Sequence, residues 1–103
     1  MRMLLKASIP TDKGNASFKD GSMKENLDSI LGDANPEAVY FILENGMRTC
    51  IIIFDMNDVS QLPSIVEPWF LSMGANLTIT PVMNGEDFEK AGASLAATVQ
   101  KYL

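Results

Sequence analysis

Histidine is absent from this 103-residue chain, which removes the commonest general base, the commonest metal ligand and the usual haem ligand together. The side chains that remain to carry chemistry are Lys6, Tyr40, Thr78, Thr80, Trp69 and one thiol, Cys50. Lys6 interrupts an otherwise strand-like run, MLLKASI. A buried ammonium there needs an anion close by, so Lys6 is a candidate contact for an anionic ligand or for a carboxylate of a partner chain. The plainer alternative is a lysine that reaches past the strand end to water. Tyr40 lies in AVYFILE, where its hydroxyl could orient a ligand inside an apolar cavity or act as an acid toward a bound enol. A rim hydrogen bond is its plainer role. Thr78 and Thr80 are polar where valine is expected, which favours a wet, ligand-accepting interior. Trp69 follows Pro68 and is either core or the wall of a pocket opened by a broken helix. These five form the candidate ligand-binding set, and no catalytic residue is assigned.

The other reactive types read as structural. Cys50 has no clustered base to activate it, agrees with a reducing compartment and excludes an intrachain disulfide. Asp55, Asp58 and Glu67 do not form a metal cluster, and Asp55 and Asp58 suit turns and caps. Gly14 and Gly21 lack the pattern of a phosphate loop. Glu44 and Arg48 flank a turn, where exposure and a rim salt bridge are expected. No metal and no cofactor is expected.

A net charge of −5 with no run of Lys or Arg argues against nucleic acid and against an anionic membrane surface. No stretch approaches the roughly 20 apolar residues of a membrane span. The opening MRMLLKASIP is too short and too broken for a signal-peptide core, so a cytoplasmic location is the default. With 47% hydrophobic and 20% charged residues, residues 1–103 are expected to form one domain with one core.

What must position the candidates is a hairpin. Residues 38–44 and 47–54 are strongly β-prone and joined by Asn45-Gly46, the signal of a type I′ turn. That register sets Glu44 opposite Met47, Ile42 opposite Thr49 and Tyr40 opposite Ile51. Neither face of the hairpin is polar enough for water, so cover is expected on both.

Around it the spacing predicts a strand over 3–9, stopped by Pro10, with residues 11–15 as turn material. A helix is expected from a capping box at Ser22 and Glu25, with Met23, Leu27, Ile30 and Leu31 as its stripe and Gly32 at its end. After Asp58 a second helix is expected, capped by Ser60, with Pro63 in its first turn and a kink or break at Pro68. Residues 77–83 read as a fourth strand, placed at a sheet edge by Pro81. One last helix runs from a cap at Asn84 to Tyr102 and is expected to pack through Phe88, Leu95 and Val99.

The order β-α-β-β-α-β plus a C-terminal helix implies an α+β, ferredoxin-like split sheet with strand order 4-1-3-2. Two helices cover one face only, and pairing two such sheets would cover the other. This order, with the segments PEAVYF (36–41), EPWF (67–70) and TPVMNGEDFEKA (80–91), resembles the dimeric α+β barrel superfamily and its short uncharacterised bacterial members. The superfamily includes small cofactor-independent monooxygenases and muconolactone-isomerase-like proteins. The resemblance implies a homodimer with a barrel interior. Its histidine-dependent members are no guide here.

Three functions follow as expectations: a homodimer binding a small apolar or weakly acidic molecule in the barrel, a cofactor-independent monooxygenase- or isomerase-like enzyme using Tyr40 and Lys6, and a purely structural dimer. The missing histidine and the lack of a convergent acid–base pair weigh against the enzyme.

Overall fold

A computed structural model describes residues 1–103. Its centre is the hairpin. Asn45 and Gly46 take φ values of 52° and 75°, the two left-handed positions of a type I′ turn. They join β2 (Ala38–Glu44) to β3 (Met47–Asp55) in the expected register, with Glu44 opposite Met47 and Tyr40 opposite Ile51. β1 (Arg2–Ile9) lies between β3 and β4 (Asn76–Pro81), antiparallel to both, so the sheet order is β2-β3-β1-β4. This is the expected α+β, ferredoxin-like split sheet. β4 is an edge strand, which lets it hold Pro81 without losing a ladder hydrogen bond.

Strand alternation divides the sheet into two unlike faces. Met3, Leu5, Ala7 and Ile9 of β1, with Cys50, Ile52 and Phe54 of β3, are all buried on one face. Against them pack α2 (Ser22–Ala34) through Met23 and Ile30, and α3 (Leu62–Met73) through Trp69 and Met73. The opposite face has no helix on it.

Several local expectations need correction. Residues 11–15 are not a turn: α1 runs Thr11–Asp20, directly after Pro10. Gly14 is buried there because an added Cβ would lie 2.5 Å from Arg48 Nη1. Ser22 does not cap a helix. Gly21, at φ 81°, breaks α1 from α2, and Ser22 donates from its backbone N–H and its hydroxyl to Asp20 Oδ1 at 2.9 and 2.6 Å. Gly32 is passed over, and the helix ends at Asn35, whose left-handed backbone returns its N–H to Leu31 O. Asp58 rather than Ser60 is the cap, accepting from Ser60 N–H in a capping box with Gln61 that opens a 3-10 turn over Val59–Gln61. α3 continues through Pro68 instead of breaking. Proline there frees only one carbonyl, and the packing of Trp69 and Met73 on the core outweighs the loss.

The C-terminal segment departs furthest from expectation. Asn84 caps as expected, in a capping box with Asp87. The single helix is two, α4 (Gly85–Lys90) and α5 (Gly92–Lys101), parted where the Ala91 N–H is shared by the carbonyls of Asp87 and Phe88. Neither buries a residue, and Phe88, Leu95 and Val99 are exposed rather than packed. The radius of gyration is 17.1 Å and the longest dimension 58 Å, where a compact chain of this length has a radius of about 13 Å.

Candidate functional site

The uncovered face of the sheet gathers four of the five candidates. Tyr40, Ile51, Lys6 and Thr78 form one row across the strands, by the pairings Tyr40–Ile51, Ile51–Lys6 and Lys6–Thr78. The next row is Ala38, Ile53, Leu4 and Thr80, and the one on the other side is Ile42, Thr49, Ser8 and Asn76. The hairpin face left open by the sequence is thereby settled: Tyr40 and Ile42 share a face with Lys6. Tyr40 and Lys6 stand two strands apart, about 10 Å at the backbone, so a ligand would have to bridge them.

Charge on this face is balanced within the chain. Lys6 Nζ meets Glu44 Oε2 at 2.9 Å and Oε1 at 3.2 Å, reaching diagonally over Thr49. Both side chains are about one-third exposed, and pairs of that kind contribute roughly 0.2–1 kcal/mol. Beside them Ser8 and Thr49 join their hydroxyls at 3.2 Å, and Thr49 Oγ1 donates to Met47 O at 3.1 Å, which leaves Ser8 as the donor to Thr49. Thr80 Oγ1 donates to Pro81 O. Tyr40, on the edge strand β2, is 62% exposed. The face therefore offers a cation–carboxylate pair, hydroxyls and a phenol on an apolar floor of Leu4, Ile51 and Ile53.

Trp69 is not part of that group. It is fully buried on the helix side, with the sheet between it and Lys6, and its indole N–H has no partner. α3 does not break at Pro68, and Trp69 lines no pocket.

A second concave surface, missed from the sequence, lies on the helix side at the β2 edge. It is a groove of about 420 Å³ between the hairpin and the first two helices, lined by Ile9, Phe18, Met23, Leu27, Phe41 and Leu43. It continues along α2 to Leu31. Arg48 closes one end, its guanidinium 4.9 Å from the Phe18 ring and donating to Asn15 Oδ1 at 2.9 Å. Cys50 also lines it, and burial pushes that thiol up to about 11, so it is protonated and unreactive at neutral pH. The missed signal was Phe18, which falls between the turn expected at residues 11–15 and the helix expected from Ser22, on what is α1. No group of residues in the structure could hold a metal ion. No helix is long and apolar enough to cross a membrane.

Likeness to known structures agrees with the topology. The chain is similar to 5-chloro-2-hydroxyhydroquinone dehydrochlorinase from Burkholderia phenoliruptrix, solved in complex with 2,5-dihydroxybenzoquinone. The TM-score is 0.63 at 15% identity, over 84% of this chain and 97% of that one. It is also similar to a formyltetrahydrofolate deformylase from Pseudomonas putida, with a TM-score of 0.52 at 11% identity over 80% of this chain and 29% of that one. At such identities the likeness is one of fold. No curated protein sequence matches. The model of one family matches residues 2–96, nearly the whole of the sheet, its helices and the start of the C-terminal segment. The chain therefore belongs to the DUF3303 family, a domain of unknown function.

Proposed function

We propose that this chain is a single-domain homodimer that packs its two uncovered sheet faces together and holds a small, weakly acidic, largely apolar molecule between them. The observation that carries the reading is the uncovered face itself: Leu4, Ile42, Ile51 and Ile53 around a Lys6–Glu44 pair. An apolar sheet face of this extent needs cover, and a second copy supplies the same surface in return. Enclosure would strip water from Lys6, where an anion competing with Glu44 gains most. A planar phenolate or enolate suits that cation, with Tyr40, Thr78 and Thr80 for its other oxygens. The hydroxyquinone bound by the dehydrochlorinase of similar fold is a molecule of this class.

The same likeness favours a second reading, an enzyme that works without a cofactor on an enol-like substrate, using Lys6 and Glu44 as the acid–base pair. Against it stands the separation of Tyr40 from that pair.

Light scattering tests the assembly: a homodimer burying about 1,600 Å² in total is expected, and a stable monomer at micromolar concentration overturns it. Titration with a panel of hydroxybenzoquinones, phenols and benzoic acids tests the site. Glu44→Gln frees Lys6 and should tighten anionic probes, while Lys6→Met should abolish their binding and change stability by no more than about 1 kcal/mol. A Lys6→Met variant that binds as well as wild type ends the Lys6 assignment. Turnover of a bound probe would favour the enzyme.

A further inference from the structure

The C-terminal arm has no seat in its own chain. Leu95 and Val99 stand one turn apart on α5, with Tyr102 just past its end, yet Val99 is 51% exposed and no residue of the helix is buried. The arm is anchored at its root, where Arg2 Nη1 meets Asp87 Oδ2 at 3.2 Å beside the start of β1. The apolar groove lies diagonally opposite, at the end of β1 marked by Ile9 and beyond the far edge strand β2. Three strand spacings and six residues of strand separate the two corners, about 25 Å. α4 and α5 bury no residue against their own chain, and the molecule is extended, 58 Å in its longest dimension.

We propose that α5 of one chain seats in the helix-side groove of a second copy, so that the two chains exchange arms. The proposal rests on the homodimer argued above and adds a separate contact to it. Face-to-face packing about an axis along the strands sets the β4 edge of one chain beside the β2 edge of the other, where the groove opens. The seventeen residues Gly85–Lys101 span about 25 Å as helix, enough to run the length of that edge. Anchor spacing matches too. Leu95 to Val99 is about 6 Å along α5, and Met23 to Leu27 is the same one-turn spacing along the groove's α2 wall. A helix laid in an apolar groove is read through such i, i+4 anchors. α5 has no acidic residue and a single basic one, Lys101, so it brings no unpaired charge into a lining dominated by Phe18, Phe41 and Leu43. Its flank of Gly92, Ala93, Ala96 and Ala97 permits close approach to another backbone.

Mixed-chain cross-linking tests the exchange in the full-length protein. One chain carries Leu43→Cys, the other Val99→Cys, both with Cys50→Ala, and the bridge is a short bismaleimide. Leu43, Ser29 and Val99 are exposed, and because Cys50 is buried, circular dichroism of the Cys50→Ala chain alone first establishes that its fold is kept. A two-chain product is expected from this mixture and not from a control pair of Ser29→Cys with Val99→Cys. Val99→Asp should raise the dimer dissociation constant about tenfold or more. A one-chain product from a chain bearing both cysteines would show the arm folding onto its own body and overturn the proposal. So would an intact dimer by light scattering with no product and no effect of Val99→Asp; the homodimer would then stand without arm exchange. A monomer by scattering removes both.

Discussion

The two faces of β1 differ by one residue of register and by everything around them. Met3, Leu5, Ala7 and Ile9 look into helices and are buried; Leu4, Lys6 and Ser8, between them, look out and are half-buried by their strand neighbours alone. Yet the outward face, half polar as it is, still sets Leu4, Ile42, Ile51 and Ile53 side by side. A face meant for water would alternate cleanly with polar side chains, as single-sided antiparallel sheets do. The covered face spends its side chains on stability within one chain, and nothing in the chain covers the apolar residues of the open one.

The comparison breaks first if the two faces respond alike to truncation. Leu5→Ala empties a fully buried site and should cost about 2–5 kcal/mol in urea denaturation at any protein concentration. Leu4→Ala should match wild type at high dilution and fall behind it as concentration rises, because only an assembly covers that site. Equal, concentration-independent losses would mean that Leu4 is buried within one chain.

A chemical probe sharpens the same contrast. Cys50, on the covered face, should resist thiol reagents in the native protein at pH 8 and react on unfolding. Its folded pKa, about 11, lies above the unfolded value near 8.5, so its contribution to stability is full below pH 8.5 and is lost as pH rises toward 11. Fast labelling of the native protein would place the thiol in an open position.

The smallest effect belongs to neither face. Asp58 is held below the usual carboxylate range by Ser60, through its side chain first and its backbone N–H second. A depressed folded pKa contributes stability above the unfolded value of about 3.9 that is lost as pH falls through the folded one. Asp58→Ala should therefore lower the melting temperature slightly at neutral pH and converge with wild type in acid. A constant difference down to pH 2 would refute the cap.

Legibility from the sequence followed the range of the interaction. The hairpin register, the edge position of β4 and the Asn84 cap depend on neighbours a few residues away and were all readable. So was the sheet order, since β-α-β-β-α-β leaves few ways to pair. Gly14 was misread because the reason for a glycine there is Arg48, thirty-four residues on, whose guanidinium fills the space of a Cβ. Lys6 and Glu44 were each singled out, but their pairing needed the knowledge of which hairpin face turns toward β1. Trp69 was left open between core and pocket wall because proline in a helix interior reads as a break; α3 runs on through Pro68, and Trp69 is core. The arm misled most: the Asn84 cap is local and correct, whereas the stripe is split between two helices and finds nothing to pack on within the chain.

β2 deserves a last consequence, in terms of the cell rather than the fold. It is an edge strand with a free row of backbone N–H and C=O groups, and Phe41 and Leu43 are exposed on one face while Tyr40 and Ile42 are exposed on the other. Only Glu44, at its end, brings a charge. Such an edge is a template for adding strands from any chain it meets, and aggregation is the hazard. A single lysine at position 41 or 43 would blunt that edge and should raise the soluble yield on expression.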